Sequence, residues 1–370
     1  MNIGRGHSHL QGSQVMPDAR PLFFFHGIPD YENLFPLAQR LAERGLPVKC
    51  YGATAPLRRE PRLRRLIAES SVDIRLRPNK VLKRFSGWWI RPGDVPVVLA
   101  DPALDASATI RRSAYLRKRG INTIFVQHGV IQIWVNFPNP DTELRHFHSA
   151  LLLLNGPPAA ATSLAPETRG RARQVGFLKA PIFAPRTASA AFRRLQSEYA
   201  RTVLICHSLR WGARYSGSEI EAFYSFVQSL AGQRPDHLFI LRGHRGKARA
   251  IHNQKDTELL KSSPNIVLSN AHSGLLKGLG MQDVLDLADL TISTASTAIL
   301  DSLYRGKMAA VYRNEHQVYE SLPNVTCPED ALRFLDAPPL EAGAALKRRF
   351  GEIDANLDRA ASMIERYLAS

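Results

Sequence analysis

Four groups of side chains in this 370-residue chain have the types and spacing that chemistry needs. The first is Ser293-Thr-Ala-Ser-Thr297, with Asp301 four residues further on. Ser293, Thr294, Ser296 and Thr297 are favoured helix N-cap types, and the first backbone N–H groups of a helix lack partners within it. Together with the helix dipole they form an anion site, most often for phosphate. Asp301, one turn on, would reach a second part of the same ligand. The bland alternative is a capped helix with an exposed acid. The second group is Gln127-His128-Gly129. An imidazole there can take a proton from an attacking hydroxyl near neutral pH, and Gly129 allows close approach of a ligand. The third, His26 and Asp30, supplies a fallback base, with turn chemistry as its alternative. The fourth, Arg242-Gly-His244-Arg-Gly-Lys247, sets His244 among cations and glycines, either a phosphate cradle or a basic surface turn.

The elements that must hold these groups follow from the hydrophobic pattern. Residues 290–292 read as a short strand that opens into the Ser-Thr turn, with a helix from about Thr297 and a further strand near 308–312. Such a strand–helix–strand crossover belongs to parallel α/β sheets, which bind nucleotides at the ends of their strands. Leu22-Phe-Phe-Phe25 is a buried strand ending at His26. A helix is expected over 33–44 with Pro36 in its first turn, where the missing N–H costs little. Strands follow at 47–51, 95–100 and 121–126, the last ending at His128. A helix is expected over 104–119, a short strand at 174–178 and a linker over 179–185. A second unit begins with a strand at 202–206 and continues with a helix over 219–230, a strand at 237–241 and an edge strand at 265–269. Helices are expected at 282–288, 328–335 and 340–368. The loop 134–140 can cover the edge that carries His128.

Length and composition bound the answer. Three hundred and seventy residues exceed one ordinary core, so two domains are expected: 1–180 and 181–345, with a C-terminal helix over 346–370. Lys plus Arg number 49 against 33 acids, a net charge of +16, which favours anionic partners. Cys50, Cys206 and Cys327 are too scattered for a zinc site or a disulfide framework, and fit a reducing compartment. No apolar run is long enough to span a membrane, and the N-terminus lacks the pattern of a signal peptide. His7 and His9 form an HxH pair to which no function is assigned; His146 and His148 lack further metal ligands. Residues 55–92 crowd Arg and Lys around Phe85-Ser-Gly-Trp-Trp89. That mixture suits an anionic membrane interface, or a solvated basic face over two core tryptophans. No nucleic-acid recognition motif accompanies the charge, so no nucleic-acid partner is expected.

With both edges described, the pattern resembles the GT-B fold, an α/β architecture of two Rossmann-like domains facing a cleft. Its second-half motifs are similar to those of CDP-glycerol glycerophosphotransferases of teichoic acid and capsule assembly. In that family an aspartate-led strand precedes Thr-Asp-Tyr-Ser-Ser, with another aspartate four residues after the second serine. Asp289, Ser296, Thr297 and Asp301 match those positions, whereas Thr294-Ala295 stands for Asp-Tyr and Arg245 for a proline. The family's histidine–glycine pair resembles His128-Gly129, and its histidine after a second-domain strand resembles His244. The likeness runs over about residues 120–312. It implies an inverting transferase with no cofactor and no metal. His128 would be the base, and His244, Ser296 and Thr297 would hold the donor's pyrophosphate; beside what the resemblance implies, Arg242 is expected at the same phosphates and Asp301, one helical turn on, near the ribose. The partners would be a nucleotide-activated donor, cytidine favoured, and a glycan or lipid-linked acceptor of the cell surface. The protein would work in the cytoplasm, on the inner face of the membrane. Two other readings stand beside it: a sugar-nucleotide 2-epimerase of the same fold, and a non-catalytic binder of anions or lipid.

Overall fold

The computed structural model describes residues 19–104, 109–137, 143–209, 216–243, 249–269 and 273–370, apart from the side chains of 249–253. His7, His9, His244, Arg245 and Lys247 therefore lie outside the described residues, as does part of the loop 134–140.

Two parallel sheets organise the chain. The first joins β1 (Arg20–Phe25), β2 (Lys49–Ala53), β3 (Ile74–Arg77), β4 (Asp94–Val98), β5 (Ile124–Val126), β6 (Leu151–Leu154) and β7 (Ala172–Gln174) in the order β3-β2-β1-β4-β5-β6-β7. The second joins β8 (Arg201–His207), β9 (His237–Gly243), β10 (Ile266–Leu268), β11 (Leu290–Thr294), β12 (Met308–Tyr312) and β13 (Asn324–Val325) in the order β10-β9-β8-β11-β12-β13. Helices cover both faces, so central strands are apolar throughout: Phe23, Phe25, Leu152, Leu153, Val203 and Ile205 are fully or almost fully buried. Both orders reverse direction once, between β1 and β4 and between β8 and β11. At such switch points the connections leave to opposite sides, and a crevice opens at the strands' carboxyl ends.

Several boundaries differ from the sequence expectation, each for a local reason. The first helix spans Ile28–Glu43 and starts five residues early, because the Asp30 carboxylate takes the backbone N–H groups of His26 and Gly27 at 2.7 and 2.8 Å. Pro36 consequently sits in the helix interior, where burial of Leu34, Phe35, Leu37 and Leu41 offsets the lost backbone bond. The charged segment Ile74–Arg77 forms an edge strand, and the strand expected at 174–178 lies at Ala172–Gln174 instead. The helix expected from 104 is described from Ile110 to Arg119. The long C-terminal helix is two helices, Leu340–Phe350 and Ile353–Ala369, broken at Gly351 with φ +74°.

That break lets the last helix return to the first unit. Leu357, Ala360, Ala361 and Ile364 pack into the core of β1 and the helix Ile28–Glu43. Asn356, fully buried at the turn, donates to the carbonyls of Phe177 (3.0 Å) and Phe350 (2.7 Å). A second tie joins Arg62, on the helix Arg62–Glu69, to Asp283, on the helix Met281–Leu287, by two hydrogen bonds of 2.7 and 2.9 Å. Arg186 joins Glu60 beside it at 2.6 Å.

Candidate functional site

The carboxyl ends of the two sheets meet. Val130, two residues beyond His128, donates its N–H to Thr297 Oγ1 at 3.4 Å and packs beside Ala295 and Ile299. Phe137 and His316 approach across the same gap, with ring centroids 5.3 Å apart.

His128 stands on the loop after β5, and amides hold that loop. Buried Gln127 donates to the Gly129 carbonyl at 2.8 Å and accepts from Asn155 N–H at 3.0 Å. Gln132 accepts from the N–H of His128 at 3.2 Å, and Asn136 donates to the Val130 carbonyl at 2.6 Å. At Gly129 a Cβ would come within 3.1 Å of the Ile131 carbonyl, so a glycine suits this tight loop. The His128 side chain is exposed, yet surrounding protein desolvates it. Its pKa is therefore lowered, against the opposing effect of a hydrogen bond to the Leu99 backbone. Both facts fit a ring standing in a recess, wetted on one side. The bond to a carbonyl fixes the proton on one ring nitrogen and leaves the other to act as a base.

His26 and Asp30 are committed elsewhere, a correction to their reading as a fallback base. His26 Nε2 lies 2.7 Å from Arg112 Nη1, so its lone pair is occupied by a guanidinium. Burial first, then the positive charges of Arg112 and Lys83, lower its pKa to about 3. Asp30 caps the first helix, and burial raises its pKa despite the two backbone N–H groups it accepts. Asp101, fully buried nearby, is equally structural: it accepts from the N–H groups of Ala103, His148 and Ser149 and from the Ser149 hydroxyl.

On the second sheet, β11 runs on through Ser293 and Thr294, both buried. These two are strand residues, not members of the turn. Thr294 Oγ1 accepts the Ser208 N–H at 3.0 Å, stitching β11 to β8 at the switch point. The helix that follows is only six residues, Ala298–Leu303. Thr297 occupies its N-cap position without a side-chain cap bond, because its hydroxyl is turned to Val130. Ser296 is half-buried, its hydroxyl 3.0 Å from that of Ser293, and its carbonyl accepts from Tyr319 OH at 2.7 Å. Asp289 bonds Thr202 N–H at 2.8 Å and so sets strand register.

Two donor-side expectations change. Arg242 belongs to β9 and is buried, donating to Ser269 Oγ at 2.5 Å, so it is not a cation of an exposed loop. Asp301 pairs with Lys179 at 2.5 Å, with side chains only 12% and 13% exposed, so its carboxylate is held by the linker between the sheets. Burial opposes the Lys179 charge most strongly, but Asp301 and Glu32 outweigh it and the pKa is raised. Lys179 and Tyr319 carry no local sequence signal for these contacts, whereas Gln127 lies in the motif with the histidine it supports. Among the described residues no cluster of three or more His, Cys, Asp or Glu could hold a metal, and no helix is long and apolar enough to cross a membrane.

No family model matches the sequence, and no curated protein matches it. Solved structures do match in shape. A Listeria monocytogenes protein named as a putative UDP-N-acetylglucosamine 2-epimerase shares 12% identity at a TM-score of 0.65, over 95% of this chain and 97% of that one. MnaA of S. aureus, solved with UDP, gives 13% and 0.65 over 94% and 97%. The wall teichoic acid polymerase TagF gives 13% and 0.51 over 96% and 90%. At these identities the likeness establishes the architecture alone: the chain has the GT-B fold, two Rossmann-like units of parallel sheet and helix.

Proposed function

We propose that the protein is an inverting GT-B transferase that moves a sugar or polyol phosphate from a nucleotide-activated donor to a cell-surface glycan or lipid-linked acceptor. The observation that carries this reading is the Val130–Thr297 bond, which sets the histidine loop of one sheet against the Ser-Thr turn of the other. His128 takes the proton of the acceptor hydroxyl. The oxygen attacks the donor's anomeric carbon or phosphorus, and the nucleotide phosphate leaves with the bonding electrons. Ser296, Thr297 and the backbone N–H groups of their turn face the charge that grows on that leaving group. His244 and Asp301 keep their proposed places at the phosphates and ribose.

The choice of donor rests on the motif likeness, which favours cytidine. The TagF neighbour was solved with CDPG, and MnaA with UDP, so both nucleotide classes belong in the test. The full-length match to 2-epimerases favours the rival reading, an isomerase. Its chemistry needs acid/base carboxylates in the cleft. Here Asp30 and Asp101 are both engaged within the protein, which supports the transferase. A cytoplasmic site against an anionic membrane is supported by the basic segment. Trp88 is 73% exposed beside the exposed Lys83 and Arg84, whereas Trp89 stacks on Tyr51 at 4.9 Å.

The test is a thermal-shift screen against CMP, CDP, UDP, GDP and ADP, followed by turnover with the nucleotide class that binds. A selective shift is expected, since saturating ligand stabilises by a few kcal/mol. His128→Ala should then lose about 10²–10⁴ in rate with binding retained. Near-wild-type turnover would sink the mechanism, and product from a sugar nucleotide without acceptor would establish the isomerase.

A further inference from the structure

The first sheet's switch point, between β1 and β4, carries a group of cations that the transferase chemistry does not use. Arg112 lies on the helix Ile110–Arg119 and is 7% exposed. Its guanidinium sits 4.5 Å from the Phe24 ring centroid, and its Nη1 lies 2.7 Å from His26 Nε2. A guanidinium only donates, so Nε2 accepts and the hydrogen of the neutral ring is on Nδ1. Nδ1 is buried and has no hydrogen-bond partner. Lys83, exposed on the adjoining helix Asn79–Phe85, adds its positive charge to the same imidazole. Asp30 is the negative charge that acts on Arg112, and its Oδ2 already accepts the N–H groups of His26 and Gly27. Among the described residues no carboxylate forms an ion pair with Arg112. Most buried donors in proteins find a partner, and a buried cation with a neutral acceptor is costly until an anion joins it.

We propose that Arg112 and Lys83, beside His26, form an anion-binding subsite at the first switch point that takes a phosphate group of the acceptor. The inference rests on the transferase reading for the word acceptor; the site itself rests on these side chains. Strands are ~4.8 Å apart, so the ends of β1 and β5 are separated by about 10 Å across β4. An acceptor with its phosphate a few bonds from the reacting hydroxyl would cover a strand-end spacing of about 10 Å. A soluble polyol phosphate and a lipid phosphate offer the same chemistry.

The experiment uses the full chain with ¹⁵N-labelled histidine. Glycerol 3-phosphate is titrated while the His26 ring signals are followed, and its dissociation constant is compared with those of Arg112→Gln and Lys83→Gln. The His26 signals should move in the wild type. R112Q should weaken binding about tenfold or more, the loss of a charge-assisted bond; exposed K83Q should weaken it by about threefold. In a second arm the chain is co-sedimented with phosphatidic acid vesicles. Loss of sedimentation in R112Q assigns a lipid phosphate, and loss of glycerol 3-phosphate binding alone assigns a soluble one. Unmoved His26 signals in the wild type, with vesicle binding indifferent to R112Q, overturn the proposal. Should R112Q fail to fold, the wild-type signals and K83Q decide. A chain that binds nucleotide but shows no such response loses this subsite alone. One that binds glycerol 3-phosphate here but no nucleotide keeps the subsite and loses the transferase.

Discussion

Arg62→Ala tests the strut between the two units. The guanidinium makes paired bonds to Asp283 at 2.7 and 2.9 Å, two more to Glu60 at 2.9 and 3.0 Å, and one to the Ala184 carbonyl at 2.6 Å. Asp283 has no exposed side-chain surface, while the Arg62 side chain keeps 19%. Removing one partner of a buried pair costs about 3–5 kcal/mol, and the residual exposure of Arg62 places the expectation near the lower end. Unfolding entropy is ~2.1 cal/mol/K per residue, or roughly 0.8 kcal/mol/K for this chain, so the melting temperature should fall by about 4 °C. The effect has a pH signature. Burial works hardest on Asp283 and would raise its pKa, but Arg62 and the N–H groups of Arg186 and Gly280 hold it below the ordinary value. A depressed carboxylate contributes stability above its unfolded pKa and loses it as pH falls through its folded one. Without Arg62 the same burial acts against fewer bonds, so the variant's carboxyl protonates more readily. The gap between wild type and variant should be full at pH 7 and narrow below about pH 4. Urea unfolding and calorimetry at both pH values read it. A shift under about 1 °C at pH 7, or a gap constant with pH, would refute the reasoning.

Other outcomes follow from the same contacts. The lowered pKa of His128 places the midpoint of any acid loss of turnover below pH 6.5; a fall centred above 6.5 would speak against this histidine as the base. His26 is held at about 3, so folding stability is complete above pH 6.5 and drains as pH falls toward 3, by up to ~1.4 kcal/mol per pH unit. His26→Gln should flatten that slope in acid unfolding curves. Gly176→Ala should be severely destabilising, because φ is +91° and a Cβ would lie 2.3 Å from the Phe350 carbonyl and 2.5 Å from Asn356; an unchanged melting temperature would mean that the joint moves aside freely. Trp88→Ala should reduce flotation with anionic liposomes at low salt while leaving nucleotide-induced thermal shifts intact; equal flotation would remove Trp88 from any membrane contact.

What was legible in the sequence lies close together along the chain. Apolar runs such as Leu22-Phe25 and Leu151–Leu154 announce strands buried on both faces, and the alternation of strand and helix announces parallel sheets. The sequence leaves Asp30 between a chemical and a turn role, and only its spacing to Gly27, that of a cap, points to the helix start at Ile28. The sequence locates the Ser-Thr segment along the chain but not the extent of β11, since Ser293 pairs with β8 and β12 and Thr294 with β12, strands distant in sequence.

The contacts that turn side chains into a site are of another kind. Lys179 meets Asp301 across 122 positions, Val130 meets Thr297 across 167, and Arg112 meets His26 across 86. None leaves a local mark, because each partner alone is an ordinary lysine, hydroxyl or arginine. Closing such long loops costs entropy that grows only slowly with length, so the chain forms these pairs once the sheets bring them together. The chemistry-bearing types could therefore be picked out of the sequence, while their assignments could not. Asp301 looked like a free acid on a helix and is a partner of the linker; His26 looked like a base and is an acceptor for a buried cation. In both cases the second partner, supplied by the fold, decided what the residue can do.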